Sequence, residues 1–399
     1  MTVRIQKPAF NIREKLSELE RPIGLKGSEL MRAETAQDAR DFVSAGRKNI
    51  LHNGAMQVYQ RGDSASTGSG NSGAWRVHDR WLIRNANLGV FTISNGSDLS
   101  AGFSNYIRWE CTTADASPAS DDFLYMQQGI EGYNVQGLKK GTSKAEYSTL
   151  SFWVKSNEVG IFTVQIYDQS NGRSCVKRYT IDSADIWEYK TLVFPPDTTG
   201  TIVNDNNARL YITYWLGNGT NRTTGTNQLD RWNSIVTSSE ASGQTGNIAS
   251  SVGSYIQFTQ IQYEIGKNAT EFEHRSYGEE LALCQRYYYR VGAVPSSDRV
   301  LAYSGQWFTS TSGWVINTFP VTMRVRPTAL ETTGSNSNYN MISPSGGPVG
   351  TNAVPTWSTY TTEYQAVTNF TTASGGSAGA ATYMYSATSG AFLGWSAEL

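Results

Sequence analysis

The stretch TLSFWVKSN (residues 149–157) places Leu150, Phe152 and Val154 on one side of an extended chain and Ser151, Trp153 and Lys155 on the other. Successive strand side chains point to opposite faces, so this period of two describes a strand with a buried side and a solvated side. GIFTVQIYDQ (160–169) and RLYITYWLG (209–217) repeat it, and the turn-rich clusters DQSNGR, PPDTTG and GNGTNRTTGTN separate such runs. In SYIQFTQIQYEIG (254–266) the apolar phase slips from Ile256 and Phe258 to Ile261, Tyr263 and Ile265, which predicts a β-bulge. Many short alternating strands with Gly, Asn and Pro punctuation predict an antiparallel sandwich over 47–278.

The flanking zones differ. Residues 1–46 are rich in Glu, Arg, Lys, Leu and Ala, and Ile5, Ile12, Leu16, Leu19 and Ile23 follow the spacing of a coiled-coil seam. This predicts a short helical arm that docks on another protein or associates with itself. EELALCQRYYYR (279–290) predicts a connecting helix. From 291 to 399 there is no lysine, but Ser, Thr, Gly and aromatics abound, and WVINTFPVTMRVRP, TYMYSA and AFLGWSAEL read as strands. A disordered tail would lack such aromatics, so a second small β domain is expected. The whole is mainly β.

Composition excludes several classes. The 399 residues carry a formal net charge of −1 with no basic cluster, so there is no electrostatic footprint for nucleic acid. Cys111, Cys175 and Cys284 are too scattered for a zinc site or a disulfide framework. The amino-terminal residues form no apolar signal segment, and no run long enough for a membrane span occurs. His52, His78 and His274 have no metal-ligand spacing. GSGNSG (68–73) matches a dinucleotide-binding pattern but precedes the strand-like AWRVHDRW rather than a helix, and GGSAG (375–379) matches a nucleophile elbow with no histidine after it. No cofactor is expected. Asp121, Asp122 and Asp205 are the acids that could contribute to a structural calcium site. In the weakly charged C-terminal zone, Trp307, Trp314, Trp357, Tyr360 and Tyr364 are candidates for stacking on sugar faces.

KNILHNGAMQVYQRG (48–62) followed by WRVHDRW resembles the opening of a jelly-roll, carbohydrate-binding-like domain of tail-fibre and related virion proteins of tailed bacteriophages, especially those of marine bacteria. YSTLSFWVKSN, then WEYKTLVFPPDTTGTIVNDNNARLYITYWLGNGT, then IQYEIGKNATEFEHRSYGEELALCQRYY fit the same domain in order, and residues 5–40 resemble a particle-docking arm. The resemblance implies a homotrimeric, non-enzymatic fibre or adhesin. Its arm would attach to other virion proteins of tail or capsid, and its variable C-terminal head would recognise a host surface glycan or protein. It would be made in the host cytoplasm and end on the particle. A structural adaptor or decoration protein without host ligand is the alternative, with a polysaccharide depolymerase third. The opening stretch itself is expected to enter the sheet as its first strand, from Asn49 to Val58.

Overall fold

The structure, a computed structural model, describes residues 47–68, 72–75, 77–292 and 300–399. The helical arm with Ile5, Ile12, Leu16, Leu19 and Ile23 lies outside the described residues. The sandwich has two antiparallel sheets. One runs in the order β1 (Ser64–Ser66), β4 (Val90–Asp98), β5 (Phe103–Thr113), β13 (Tyr255–Ile265), β7 (Ser148–Ser156), β10 (Glu188–Phe194). The other runs β12 (Asn233–Ser234), β9 (Arg173–Ile181), β8 (Gly160–Asp168), β11 (Ala208–Asn218), β6 (Phe123–Glu131), β3 (Leu82–Ala86), β2 (Ser72–Trp75). The chain passes repeatedly from one sheet to the other, the crossing pattern of a jelly roll.

Alternation builds the core. Leu150, Phe152 and Val154 of β7 are buried, and the Phe152 ring meets Tyr214 of the opposite sheet edge-on at 5.2 Å and Tyr179 at 5.1 Å. Leu210, Ile212, Tyr214 and Leu216 of β11 and Phe162, Val164 and Ile166 of β8 are buried on the same inner face. The bulge in β13 lies where the apolar phase slips. The register against β7 shifts between Thr259 and Gln262, and Gln260 takes a left-handed φ of 48°.

The opening stretch is not a strand, which corrects the expectation for Asn49–Val58; among the described residues the first strand begins at Ser64. Asn53 and Met56 have φ of 54° and 57°, incompatible with an extended run. Asparagine side chains supply the pairing that a neighbouring strand would. Asn53 accepts from the Val58 amide at 3.0 Å and donates to the Val58 carbonyl at 2.7 Å and the Asp79 carbonyl at 3.0 Å. Asn49 donates to the Ile261 carbonyl and accepts from the Tyr263 amide beside the bulge. Leu51, Met56 and Val58 thereby reach the core from an irregular loop.

The connecting helix spans Tyr277–Gln285, capped by the Ser276 side chain on the Glu279 amide, and is shorter than the expected 279–290. Tyr288 already belongs to a strand. β14 (Tyr288–Gly292), β23 (Phe392–Ser396) and β17 (Glu331–Thr332) form a three-stranded sheet. Beside it is a seven-stranded sheet ordered β19 (Pro348–Gly350), β18 (Tyr339–Ile342), β22 (Ala381–Ser386), β15 (Val300–Trp307), β16 (Ser312–Thr318), β21 (Gln365–Thr371), β20 (Thr356–Trp357). Leu301, Trp307, Val315, Met341, Met384, Leu393 and Trp395 fill the core of this second unit.

Buried charge joins the two units. Arg80, 2% exposed and held at a φ of 72°, pairs with Glu398, donates to the Gly129 carbonyl and stacks its guanidinium 3.5 Å above the Tyr287 ring. Arg61 lies 3.5 Å from both Asp79 and Glu398 and covers the Tyr288 ring at 3.4 Å. Arg286 binds Glu131 through two nitrogens, each at 2.8 Å, and the Tyr287 hydroxyl donates to the same carboxylate. Burial pushes Asp79 up to about 6, Arg61 only partly opposing it.

Glu398→Ala leaves Arg80 buried without its carboxylate and should cost about 3–5 kcal/mol in urea denaturation. Asp79 binds its proton more tightly folded than unfolded, so its contribution to stability falls as pH rises from 3.8 to about 6. The stability difference between wild type and Asp79→Asn should therefore change across that window and flatten above it.

Candidate functional site

The strand period that points Leu210, Ile212 and Tyr214 inward points Tyr211, Thr213 and Trp215 outward, and likewise Gln165 and Tyr167 on β8. The registers align these residues in three rows across the sheet. Tyr125 lies opposite Trp215 and Trp215 opposite Thr163; Gln127, Thr213 and Gln165 make the next row; Gly129, Tyr211 and Tyr167 make the third. Of these, Tyr125, Gln127, Gln165, Tyr167, Tyr211, Thr213 and Trp215 form the floor of a groove of about 960 Å³ on the outer face of the seven-stranded sandwich sheet.

Each row has its own chemistry. The Tyr167 and Tyr211 rings, both half-buried, stack at 6.2 Å. Gly129 gives them room, since a Cβ there would sit 3.1 Å from the Tyr211 ring. In the middle row Gln127 donates to the Thr213 hydroxyl at 2.7 Å, while the Gln165 amide nitrogen, on a side chain 4% exposed, has no partner. At the far end Phe123, Tyr125 and Trp215 pack together, with ring centroids 5.1–5.9 Å apart. Arg222 lies over Phe123 at 4.3 Å and is ion-paired to Glu240, so a loop roofs this end. A second hollow of about 510 Å³ shares Gln169, Tyr211 and Leu399 with the groove and extends it past Arg209 and Arg324.

Burial pushes the Tyr125, Tyr167 and Tyr211 phenols up, so all three keep their protons and can donate. It also raises Glu240, against the pull of Arg222. The groove's carboxylates have local partners. Asp121 accepts from Asn221 at 2.6 Å, Asp122 caps the Ala119 amide at 2.8 Å, and Glu240 holds Arg222. Ring faces with amide and hydroxyl groups between them suit a neutral polyhydroxylated ligand.

The aromatics singled out from sequence lie in the other unit and do not converge as one set. Trp307 is core, which corrects its assignment to a recognition surface: it is fully buried, donates to the Ile342 carbonyl and packs edge-on against Phe370. Trp357 is half-buried, with its indole donating to the Pro327 carbonyl. Trp314, half-buried, meets exposed Phe308 at 4.6 Å and Tyr360 at 5.6 Å, forming a small surface cluster. Tyr360 and Tyr364 are 67% and 65% exposed.

Asp205, read as a possible cation ligand, is engaged by Arg209 and Asn207, and Arg209 holds its carboxyl well below the usual range. Among the described residues no three His, Cys, Asp or Glu side chains converge on a metal position. His52 and His78 are structural: burial lowers both, His78 to about 4. The groove residues Tyr125, Gln127, Gln165, Tyr167, Tyr211 and Trp215 escaped sequence reading, yet a signal was present. On β8 and β11, strands expected from their alternation, the outward positions hold Tyr, Gln, Thr and Trp where a plain solvent face would hold Lys and Glu, whereas β6, which brings Tyr125 and Gln127, was not anticipated.

No protein-family model and no curated protein matches the chain. Solved structures similar to it include the enzymatically active domain of bacteriophage CBA120 tailspike protein 4, at 15% identity and a TM-score of 0.29 over 54% of this chain and 21% of that one. The family 11 carbohydrate-binding module of the Clostridium thermocellum cellulase Lic26A-Cel5E is similar at 13% identity and 0.27, over 58% and 99%. The xylan-binding domain of Paenibacillus barcinonensis Xyn10C is similar at 8% and 0.24, over 56% and 100%. The match thus spans about a fifth of the tailspike chain. At these scores the similarities carry no functional weight.

The rows should separate energetically. Tyr125→Ala and Trp215→Ala empty a packed cluster and should cost about 3–5 kcal/mol. Tyr167→Ala, at the half-buried shelf, should cost under about 2 kcal/mol, as read from chemical denaturation.

Proposed function

We propose that the chain is a glycan-binding protein whose sandwich groove holds a segment of a neutral oligosaccharide. The observation that carries this is the Gln165 amide, buried without a partner between a tyrosine shelf and an aromatic end wall. An unsatisfied buried polar group costs roughly 1–3 kcal/mol, which a ligand hydroxyl in the groove would recover. The Tyr167 and Tyr211 faces offer the apolar surface on which a pyranose C–H face stacks.

In this reading the protein is a non-enzymatic adhesin of a tailed-bacteriophage particle, attached to tail or capsid through residues 1–46 and acting as a homotrimer. The ordered sequence resemblance over about residues 4–290 supports it. Three linked grooves would raise a weak site to useful avidity through effective concentration. A second location for recognition is the Phe308–Trp314–Tyr360 cluster, in which Trp314 and Tyr360 of the sequence-derived aromatic set meet at the surface of the C-terminal unit.

A panel of neutral oligosaccharides, titrated calorimetrically with the full chain, tests both. Tyr167→Ala and Gln165→Leu should each weaken binding about tenfold, and Trp314→Ala should leave it unchanged. Loss with Trp314→Ala alone would move the site to the C-terminal unit. Absence of binding to any glycan or host cell would favour a particle adaptor, and release of reducing ends would make the protein an enzyme.

A further inference from the structure

Lys140 lies in a turn at one end of the sandwich, and its ammonium is placed unlike those of the other described lysines. The side chain is 4% exposed. Its Nζ lies 2.5 Å from Asp168 Oδ2, 2.8 Å from Asp197 Oδ2, 3.0 Å from the Thr199 carbonyl and 3.2 Å from the Gly200 carbonyl. Four oxygens from two segments therefore face one positive centre, with the Trp232 ring 5.1 Å away on another side. An ammonium has three hydrogens to share among these four acceptors, so one must be shared.

The surroundings hold the oxygens in place independently of Lys140. Asp168 is fully buried and accepts from the Asn171 backbone and side chain at 3.2 and 2.8 Å. Asp197 is clamped by Arg173 through two 2.9 Å bonds and by the Thr199 amide at 3.1 Å. Gly200 and Gly141, at φ of 76° and 78°, turn the chain so that the Thr199 and Gly200 carbonyls point inward. The adjoining cavity, lined by Lys140, Asp197 and Trp232, is about 10 Å³, at the lower limit for one water. Two carboxylates with two backbone carbonyls, held in place by their own partners, make the donor set of a hard divalent cation.

We propose that this is a latent calcium-type site in which the Lys140 ammonium takes the metal's place, tying the end of β8 to the loop after β10 and making the sandwich independent of divalent cations. With Lys140 shortened to Ser, the four oxygens plus water entering the freed volume would bind calcium. Arg173 stays beside Asp197, so affinity would be modest, on the order of 10⁻⁴–10⁻³ M.

The test uses the full chain as wild type, Lys140→Ser and Lys140→Met, with calcium or EDTA, read by thermal melting and by terbium luminescence excited through Trp232. Wild type should melt at one temperature under both conditions and give no sensitised terbium emission. Lys140→Ser in EDTA should melt roughly 10 °C lower, and calcium should restore at least half of that loss. It should also sensitise terbium, and Asp168→Asn in that background should abolish both effects. Lys140→Met, which still plugs the space, should be destabilised without calcium rescue. The proposal is overturned if Lys140→Ser gains nothing from calcium, if it cannot be recovered folded with calcium present throughout, if Lys140→Met is rescued equally, or if EDTA lowers the wild-type melting temperature.

Discussion

A guanidinium withdrawn from water must find acceptors for its N–H groups and a counter-charge, or the fold cannot keep it there. Arg80 meets that demand from three places: Glu398 near the chain's last residue, the Gly129 carbonyl of β6, and the ring of Tyr287 just past the connecting helix. Remote segments must therefore arrive together. Arg61, Asp79, Glu131 and Arg286 repeat the logic around it, so the seam between the two units is specified by charge pairing as much as by apolar contact. The left-handed backbone of Arg80 fits this account, because a strained residue persists only where its surroundings fix it.

The groove depends on that seam at one end. Gly129 accepts from Arg80 on its carbonyl side, and its missing side chain makes room for the Tyr211 ring and for Leu399 of the second unit. The tyrosine shelf is thus positioned by the contact that joins the units, while the opposite end is shaped locally by the Arg222–Glu240 roof. A site with one wall from the sheet, one from a loop and one from a neighbouring unit can change its ends while its floor stays fixed.

Part of the sandwich was legible because alternation shows a strand's buried face directly; β7, β8 and β11 lie where their alternation puts them, and the slip in β13 is a real bulge. Residues 49–58 misled because Leu51, Met56 and Val58 are as buried as strand residues, yet Asn49 and Asn53 provide the hydrogen bonds of a missing neighbour. A side chain imitating a strand edge leaves no periodic trace. The groove floor was half legible: Gln165, Tyr167, Tyr211, Thr213 and Trp215 occupy outward positions of β8 and β11, but β6 with Tyr125 and Gln127 was not anticipated, and which positions line up across the sheet is decided by register among β6, β8 and β11, a long-range property. Trp307 shows the reverse difficulty, since core and recognition aromatics look alike in sequence and only packing against Phe370 separates them.

β14 and β23, the strands by which the chain enters and leaves the second unit, lie side by side over five paired positions, from Tyr288 with Ser396 to Gly292 with Phe392. Both ends of that unit are therefore held at a single place, beside the charged seam. Such a layout behaves like a socket. Sequence between the paired strands can diversify, lengthen or be replaced wholesale while the attachment is inherited unchanged, which lets the distal part evolve on a different clock from the body that carries it.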